Sequence, residues 1–428
     1  MSAHCGYIVK VEKLRPHPNA DRLQIATFFG NDTCVGLDTK IGDIGIYFPS
    51  DLQLSMEFCI NNHMLKKLPD GTPDRGYMDA KKRNVTAIRL RGEKSDGIYC
   101  SLKTLEYTGV KLHTLSPGDT ITTVNDHEIC KKYIPMTKPK PTPSQGNRTR
   151  KEKVPIAPLF AQHVDTEQLD YNLNAFRPGD EIEITLKMHG ISHRVGYLPV
   201  AKKQTILDKL LKRVRYDWDY ISGTRRVVLE KIDTADGWYG DNAFRENTSE
   251  KFIGKLHKGE TAYMEIVGYV NETTPIMPSC NNKKLNDKEF IKKYGDTTNF
   301  SYGCAPGENE CYVYRMTLTT EEGHVVEYSP EYMRYRCEQI GVKAVPEFYR
   351  GFLPDVENLG EKVRDIAKVF YDGEDPIGKT HIKEGVVVRI VNRPKFTAYK
   401  LKNFEFKVLE NIIKTDAEVP DMEEAQDV

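Results

Sequence analysis

The chain has 428 residues, enough for two or three domains at a usual size of roughly 100–200 residues each. Its 62 Lys and Arg residues balance its 62 Asp and Glu residues, so net charge gives no general attraction to nucleic acid. Its nine cysteines form no CxxC pair, which argues against a structural zinc site and for reduced thiols. We find no signal-peptide pattern or membrane-length apolar run and expect a soluble cytoplasmic or otherwise intracellular protein without membrane contact.

The first segment, residues 1–135, contains short β-rich runs between turn signals. The runs cover residues 6–11, 23–29, 33–37, 45–48, 85–90 and 97–100. Many short strands in one small segment favour an all-β OB-fold barrel. Basic residues lie near the ends of these runs, as a nucleic-acid groove requires. We assign RNA contacts to Lys81, Lys82, Arg83, Arg89 and Arg91.

Residues 16–23, with the sequence PHPNADRL, are similar to a segment of tRNA-binding OB domains. Prolines and an Asn-Ala-Asp run make a turn that leads into a strand. The segment is either part of an RNA-binding surface or a turn that stabilises the domain, and the sequence does not distinguish the two.

The rest of the chain changes character twice. Residues 136–156 are rich in Pro, Lys and polar residues and are expected to be a basic linker. Residues 157–412 mix strand-like runs with helical patterns, including a helix expected within 205–216 and one from Ser329 to Gly341. Because the strands do not alternate regularly with helices, an α+β fold with antiparallel sheets is expected. Residues 413–428 form an acidic tail.

Four short pieces of the second domain carry reactive side chains. Lys187 follows a strand-like run and precedes a turn at Gly190, and Glu384 begins a β-branched run. Lys400 and Lys402 lie two residues apart and therefore share one face of a strand. Glu265 interrupts an apolar strand. Each piece alone also fits a surface turn, a charged strand end or a solvated strand face.

Taken in order, the pieces resemble the motifs of the ATP-dependent RNA ligases, covalent nucleotidyltransferases, in the nick-sealing branch with an N-terminal OB-fold domain. The resemblance implies an ATP-grasp-like nucleotidyltransferase domain over 157–412. It implies catalytic roles for Lys187, Glu384, Lys400 and Lys402. It implies nucleotide contacts from Leu186, Lys187, Ser192, Arg194, Arg225, Glu265, Tyr314, Lys400 and Lys402. It implies that Glu265, Glu384 and His189 bind Mg²⁺ or Mn²⁺, although the commonest first motif has aspartate at the position of His189.

These residue types suit the reaction that the resemblance implies. A lysine amine attacks phosphorus only when it is unprotonated, and neighbouring cations favour the neutral amine. The same cations neutralise the charge that builds on the α-phosphate. By resemblance, ATP adenylates Lys187, AMP moves to a 5′-phosphate, and a 3′-hydroxyl then displaces AMP. The expected partners are ATP and RNA, as a nicked duplex, an RNA–DNA hybrid or a cleaved tRNA, with ribose on the 3′-hydroxyl side. We expect a monomer.

Two alternatives remain open. A DNA ligase or a capping guanylyltransferase uses the same motif order but normally carries an OB domain after the motif that matches Lys400 and Lys402. Only a short segment follows Lys402 here. A non-catalytic tRNA- or RNA-binding protein would explain residues 16–23 and the basic linker. It would not explain the ordered appearance of Lys187, Glu265, Glu384 and the Lys400–Lys402 pair.

Overall fold

The structure is a computed structural model that describes residues 4–134, 156–211, 213–229, 243–285 and 287–416. The expected linker therefore lies outside the described residues except for Ile156, as does the acidic tail beyond Asp416. The chain divides into two compact units. Unit 1 contains Met1–Thr137 and Phe404–Pro420, and unit 2 contains Lys138–Asn403 and Asp421–Val428. No helix in the described residues is long and apolar enough to cross a membrane.

Short strands dominate the chain. The strands are β1 (Gly6–Lys10), β2 (Leu14–Pro16), β3 (Leu23–Phe28), β4 (Asn31–Gly36), β5 (Ile44–Phe48), β6 (Leu52–Leu54), β7 (Ala87–Leu90), β8 (Glu93–Asp96), β9 (Ile98–Ser101), β10 (Thr120–Ile121), β11 (Thr123–Val124), β12 (His127–Glu128), β13 (Cys130–Lys132), β14 (Glu167–Gln168), β15 (Glu181–Leu186), β16 (Ile191–Ala201), β17 (Tyr216–Gly223), β18 (Val228–Leu229), β19 (Glu260–Gly268), β20 (Cys280–Asn281), β21 (Thr297–Thr298), β22 (Asn309–Thr319), β23 (Val325–Glu327), β24 (Lys343–Ala344), β25 (Glu347–Phe352), β26 (Gly385–Ile390) and β27 (Thr397–Lys402). The α-helices are α1 (Met56–Asn61), α2 (Ile206–Leu210), α3 (Ala243–Glu250), α4 (Lys288–Tyr294), α5 (Pro330–Ile340), α6 (Leu359–Phe370) and α7 (Phe404–Asp416).

Unit 1 is a set of small sheets around one core. Its largest sheet has the order β10-β1-β5-β9, and a second sheet has the order β2-β3-β4. The apolar core includes Ile46, Phe48 and Phe58. The strands expected from the sequence are present, but within the described residues the sheets do not join into a closed barrel. The expected OB barrel is therefore not confirmed.

Unit 2 contains two main sheets. One has the order β14-β27-β26-β15-β25, and the other has the order β18-β17-β16-β19-β22-β23 with β24 paired to β22. All neighbours in these sheets are antiparallel except β14 with β27 and β24 with β22. The expected mixed fold with antiparallel sheets is confirmed for this unit.

Alternation along β15 and β26 separates a core face from a polar face. Ile182, Ile184, Val386 and Val388 are buried in a cluster with residues of α6. The residues between them therefore point to the opposite side of the sheet. This second side carries the candidate site.

The helix from Ser329 to Gly341 is confirmed. The Ser329 hydroxyl accepts a hydrogen bond from the Tyr332 N–H, Pro330 occupies the first turn, and Gly341 ends α5 with a φ of 80°. These are the signals that the sequence displays. The helix expected within 205–216 is reduced to α2, whose Ile206 and Leu210 are 88% and 77% exposed.

Candidate active site

One pocket in unit 2 gathers side chains from both main sheets. It is lined by His163, Thr166, Glu183, Thr185, Leu186, Lys187, Met188, Arg225, Glu265, Tyr314, Val345, Val387, Arg389, Phe396 and Lys400. The expected residues Leu186, Lys187, Arg225, Glu265, Tyr314 and Lys400 are among them. Since Leu186 and Lys400 lie 214 positions apart in the chain, the fold brings together pieces that are individually unremarkable.

At the reactive end, one carboxylate lies between two lysines. The Nζ of Lys187 is 2.8 Å from Oε1 of Glu384, and the Nζ of Lys402 is 3.4 Å from the same oxygen. The Glu384 side chain is 3% exposed, whereas that of Lys187 is 20% exposed and remains accessible. Burial of a carboxylate between two ammonium groups gives each charge a partner in a poorly solvated place. Lys187, Glu384 and Lys402 thus form one cluster, and Lys400 lines the adjoining pocket.

Two glycines allow this approach. The backbone N–H of Lys187 donates to the Gly385 carbonyl at 3.0 Å. Gly385 has a φ of 146°, and a Cβ on it would lie 2.0 Å from the Leu401 carbonyl oxygen. A Cβ on Gly190 would lie 2.5 Å from the carbonyl oxygen of Ile266. Both positions therefore need glycine to let the motif strands meet at the site.

His189 is buried beside this cluster. Its Nδ1 is 3.8 Å from Oε2 of Glu384, and its ring meets the Phe300 ring edge-on at 4.8 Å. Its backbone N–H donates to the Tyr302 hydroxyl at 2.6 Å. Burial raises the pKa of Tyr302 well above its usual value, so the phenol stays protonated. Tyr302 lies between β21 and β22, and nothing in its sequence spacing indicated this contact.

The expected metal ligands are only partly assembled. Glu384 and His189 approach each other, while Glu265 lines the wall of the pocket contributed by β19. In the part of the chain that the structure describes, no group of three or more His, Cys, Asp or Glu side chains could hold a metal ion. The protein oxygens present fit a divalent cation that takes most of its ligands from phosphates and water, as Mg²⁺ commonly does.

The other wall of the pocket is built from β16, β19 and β22. Ser192 on β16 pairs in register with Glu265 on β19. The Tyr314 hydroxyl is 3.4 Å from the Ser192 hydroxyl and 3.0 Å from Nδ1 of His163. Burial, followed by the nearby Arg225 and Arg315, lowers the pKa of His163 to about 3, so its ring is neutral and can accept the tyrosine proton. His163 was not assigned a role from the sequence.

The two expected arginines have different surroundings. Arg194 is 1% exposed and does not line the pocket. It donates to the carbonyls of Thr224 at 2.9 Å and Phe160 at 3.0 Å. Burial lowers its pKa to about 10. Arg225 lines the pocket and donates from Nε to Asp165 at 2.9 Å. The geometry therefore gives Arg194 structural contacts, and of the two arginines only Arg225 lines the pocket.

The end of the pocket away from Lys187 carries charged residues that the sequence did not single out. Glu183 and Arg389 are 2% and 5% exposed, and both line the pocket with Phe396. Nη1 of Arg334 donates to Oε1 of Glu183 at 2.7 Å. Alternation along β15 and β26 is the signal that could have found Glu183 and Arg389, because both lie on the face of Thr185 and Val387.

The residues expected to contact RNA lie in unit 1 and have varied environments. Arg83 donates to the Leu54 carbonyl at 3.1 Å, and Arg89 forms an ion pair with Glu405 on α7. Nη1 of Arg91 donates to the Asn19 carbonyl at 3.3 Å. Lys81 and Lys82 donate backbone N–H groups to Asp79. The RNA-contact assignment stays a prediction, with Arg83 and Arg89 already engaged in contacts inside unit 1.

The segment at residues 16–23 contacts the turn between β7 and β8. His17 Nε2 is 3.1 Å from the Leu90 carbonyl oxygen, and the Asn19 amide donates to the Arg91 carbonyl at 2.9 Å. His17 is 5% exposed. These contacts give the segment a structural role in unit 1.

Comparison with solved structures identifies the fold. A Naegleria gruberi RNA ligase with PPi is 16% identical with a TM-score of 0.55, over 96% of this chain and 98% of that chain. A glutamate-to-alanine mutant of that ligase with ATP and Mn is 15% identical with a TM-score of 0.56, over 94% of this chain and 98% of that chain. A lysine-to-methionine mutant with AMP and Mn is 15% identical with a TM-score of 0.55, over 94% of this chain and 97% of that chain.

Comparisons by sequence find less. No protein-family model matches the chain. No curated protein matches it either. The structural matches nevertheless extend over nearly the whole length of both chains. The resemblance drawn from the motifs is therefore confirmed for the fold, and this chain has the fold of the Naegleria gruberi RNA ligase structures.

Proposed function

We propose that this protein is an ATP-dependent RNA ligase that carries AMP on Lys187. The observation that supports this most directly is the meeting of Lys187, Glu384 and Lys402 at the mouth of a pocket that Lys400 and Tyr314 also line. A nucleophilic amine on a rigid strand end, with further cations beside it, suits attack on a phosphorus atom. The fold shared with RNA ligase structures supports the same reaction.

The proposed reaction has three displacements at phosphorus. The Lys187 amine attacks the α-phosphorus of ATP, pyrophosphate leaves, and the amine loses a proton to form lysyl-AMP. A 5′-phosphate oxygen of the nucleic acid then attacks that phosphorus and frees the lysine. Finally a 3′-hydroxyl attacks the activated 5′-phosphate, and AMP leaves as the new phosphodiester forms. Lys400 and Lys402 would neutralise charge on the transferring phosphate in each step.

The nucleotide would extend from Lys187 into the pocket. We propose that the Tyr314 ring stacks on the base and that Glu265 and Ser192 bind the ribose, with Arg225 at the end of the nucleotide or of the nucleic acid. Mg²⁺ or Mn²⁺, held chiefly by Glu384 with phosphate oxygens and water, would supply Lewis-acid stabilisation and orientation. His189, a neutral nitrogen ligand or water acceptor in this arrangement, would take the place of the usual aspartate.

The proposed substrate is a nick in a duplex with RNA on the 3′-hydroxyl side, where a 2′-hydroxyl can be recognised. Unit 1 would grip the strand near the nick through Lys81, Lys82, Arg83, Arg89 and Arg91. The side chains of Arg83, Arg89 and Arg91 also have the internal contacts described above.

The test is covalent labelling. The protein is incubated with α-labelled ATP, and separately with α-labelled GTP, with Mg²⁺ or Mn²⁺, and is run on a denaturing gel. Lys187→Ala is compared with Lys362→Ala, which removes an exposed lysine of α6. We expect label from ATP alone on the wild type and Lys362→Ala, and none on Lys187→Ala.

The sealing step is then measured on nicked duplexes whose 3′-hydroxyl strand ends in RNA or in DNA. Preferential joining of the RNA-ended strand is expected. Label from GTP would instead indicate a capping guanylyltransferase, and equal joining of DNA-ended strands would indicate a DNA ligase. Failure to label with either nucleotide would leave the non-catalytic RNA-binding protein as the better explanation.

A further inference from the structure

The inner end of the pocket is defined by strand register. Thr185 on β15 pairs with Val387 on β26, and Glu183 pairs with Arg389. All of these residues line the pocket, so Glu183 and Arg389 form one cross-strand pair inside it. Lys187 follows the end of β15 four positions after Glu183, which corresponds to roughly 13 Å at about 3.3 Å per residue. This span is comparable with the length of an extended nucleoside monophosphate.

The guanidinium of Arg389 is only partly used by the protein. Its Nη2 donates to the Tyr328 carbonyl at 3.1 Å and lies 3.5 Å from Oε2 of Glu327. Among the described residues, its buried Nε and Nη1 have no hydrogen-bond partner. Its central carbon is 5.1 Å from the centroid of Phe396, which also lines the pocket. Buried N–H groups are nearly always paired, so these donors indicate an acceptor on a ligand.

The surroundings of Arg389 favour a neutral acceptor over an anion. Burial lowers the pKa of Arg389, while Glu327 and Glu183 oppose the shift and Arg315 and Arg334 add to it. Arg315 and Arg334 are ion-paired with Glu327 and Glu183, and the two carboxylates beside Arg389 would repel a phosphate. Lys187 lies at the other end of the pocket, and Lys400, opposite Val387, lies two positions nearer that end than Arg389, so both cations suit the phosphates better. A ring nitrogen of a base has a lone pair that can accept a hydrogen bond from Arg389, which has donors only. A carboxylate can accept a hydrogen bond from an exocyclic amine beside that nitrogen. Adenine presents such an amine next to both N1 and N7.

We propose that Arg389 is a specificity-determining residue that donates its free N–H groups to adenine N1 or N7, while Glu183 accepts from the 6-amino group. The base would then lie between Tyr314 and Val387, with its amino edge toward this pair. The inference rests on the proposed function, because that function places the α-phosphate of ATP at Lys187.

The experiment compares ATP with 1-deaza-ATP, 3-deaza-ATP and 7-deaza-ATP, each lacking one ring acceptor. Self-adenylation of the full chain is followed by intact-protein mass spectrometry over a range of nucleotide concentrations. In the wild type we expect either the 1-deaza or the 7-deaza analogue to raise KM about tenfold to a hundredfold, as loss of one bond to a charged donor does. The 3-deaza analogue is expected to behave like ATP.

The matched variants are Arg389→Met and Arg350→Met. Arg389→Met should raise the KM for ATP to the level of the impaired analogue and should no longer distinguish the two. Arg350 lies on β25 and pairs with Glu181 outside the pocket, so Arg350→Met should keep the wild-type discrimination.

Wild-type protein that uses all three analogues like ATP would overturn the proposal, as would an Arg389→Met variant that still discriminates. Should Arg389→Met fail to fold, the wild-type analogue series alone decides. Absence of any adduct with ATP itself would refute the proposed function instead, so the two failures are distinguishable.

Discussion

Glu384 in this structure occupies the position between Lys187 and Lys402 that a nucleotide phosphate would compete for. The Nζ of Lys187 is 2.8 Å from this carboxylate, whereas the proposed reaction requires the amine to face the α-phosphorus of ATP. Under the proposed function, nucleotide binding would therefore change the partners of this carboxylate before the reaction starts. The anionic phosphates of ATP would give both lysines new partners and leave Glu384 free for a metal.

Tyr302 contacts the turn that carries Lys187, the proposed nucleophile. Its hydroxyl accepts the His189 N–H, two residues after Lys187, and its ring contacts His381 edge-on at 4.5 Å. In Tyr302→Phe the ring contacts remain and only this hydrogen bond is lost. We expect the rate of self-adenylation to fall about tenfold with little change in the KM for ATP, because misplacement of the amine affects the reaction more than binding. Single-turnover labelling at varied ATP concentration measures both quantities.

Tyr312→Phe is the control for this prediction, since Tyr312 belongs to the same apolar cluster but is not among the residues that line the pocket. Urea unfolding of both variants reports any general loss of stability. Equal losses of rate in the two variants, or a raised KM in Tyr302→Phe, would argue against a positioning role.

At the residue scale, the sequence predicted the residues proposed to react but not the residues that contact and support them. Lys187, Glu384 and Lys402 were predicted because their order in the chain resembles a motif series, and the structure brings them within ion-pair distance. Tyr302 and His163 act through contacts with residues far away in the chain, so local spacing carries no signal for them. Arg194 was predicted at the nucleotide, but its neighbours on β17 and the segment near Phe160 enclose it.

At the scale of elements, a buried ion pair joins α5 to β19. Nη2 of Arg336 is 2.7 Å from Oε2 of Glu260, and the Tyr328 hydroxyl donates to Oε1 at 2.9 Å. Burial tends to raise the pKa of Glu260, but the hydrogen bonds from Arg336, the His257 backbone and Tyr328 outweigh it, and the pKa is lowered. The folded state therefore gains stability from Glu260 above the unfolded pKa of about 4.3, and this gain is lost as pH falls through the lower folded value.

We predict that Glu260→Gln lowers the free energy of unfolding at pH 7 by about 3 kcal/mol, because Arg336 is left buried without its counter-charge. Below about pH 4.3, the stability of the variant should also fall less with decreasing pH than that of the wild type. Urea unfolding from pH 3 to pH 7 measures both effects. Glu322→Gln, which changes an exposed carboxylate, serves as the control. A Glu260→Gln variant as stable as the wild type at pH 7 would contradict the prediction.

Element prediction succeeded where local signals and tertiary packing agree. The cap at Ser329, Pro330 in the first turn and Gly341 at the end define α5 without reference to other parts of the chain. The apolar spacing of 205–216 predicted a longer helix, but in the structure Leu207 and Leu210 of α2 are 64% and 77% exposed. Helices gain most of their stability from packing of the apolar face, so spacing alone did not determine the length of α2.

At the scale of the whole molecule, the C-terminal helix belongs to unit 1 and not to the unit that contains the preceding strand. The expected boundary placed residues up to 412 in the catalytic domain, because α7 follows β27 with only Asn403 between them. Phe406 and Leu409 of α7 are buried, and Arg89, Lys94 and Asp96 of unit 1 contact its polar residues. Such an assignment depends on contacts between the two ends of the chain, which composition and local spacing do not reveal.

Lys407 is predicted to be the main polar anchor of α7. Its Nζ is 2.6 Å from Oδ2 of Asp96, and the two side chains are 14% and 4% exposed. Lys407→Met leaves the Asp96 carboxylate buried without its counter-charge, so we expect a loss of about 3–5 kcal/mol. Glu405→Gln breaks the ion pair with Arg89, whose side chain is 38% exposed, and should cost less than about 1 kcal/mol.

Hydrogen exchange followed by mass spectrometry can locate the effect of Lys407→Met, because opening of one unit is seen separately from opening of the other. Protection should fall in α7 and in β7 and β8, which α7 and its ion pairs contact, and should persist in β15 and β26. Glu405→Gln should leave protection close to that of the wild type in all of these elements. If Lys407→Met instead lowered protection equally in β15 and β26, or nowhere, α7 would not be a stabilising part of unit 1. The expected pattern would establish that unit 1 needs a helix encoded after Lys402, so that the N-terminal segment does not form that unit alone.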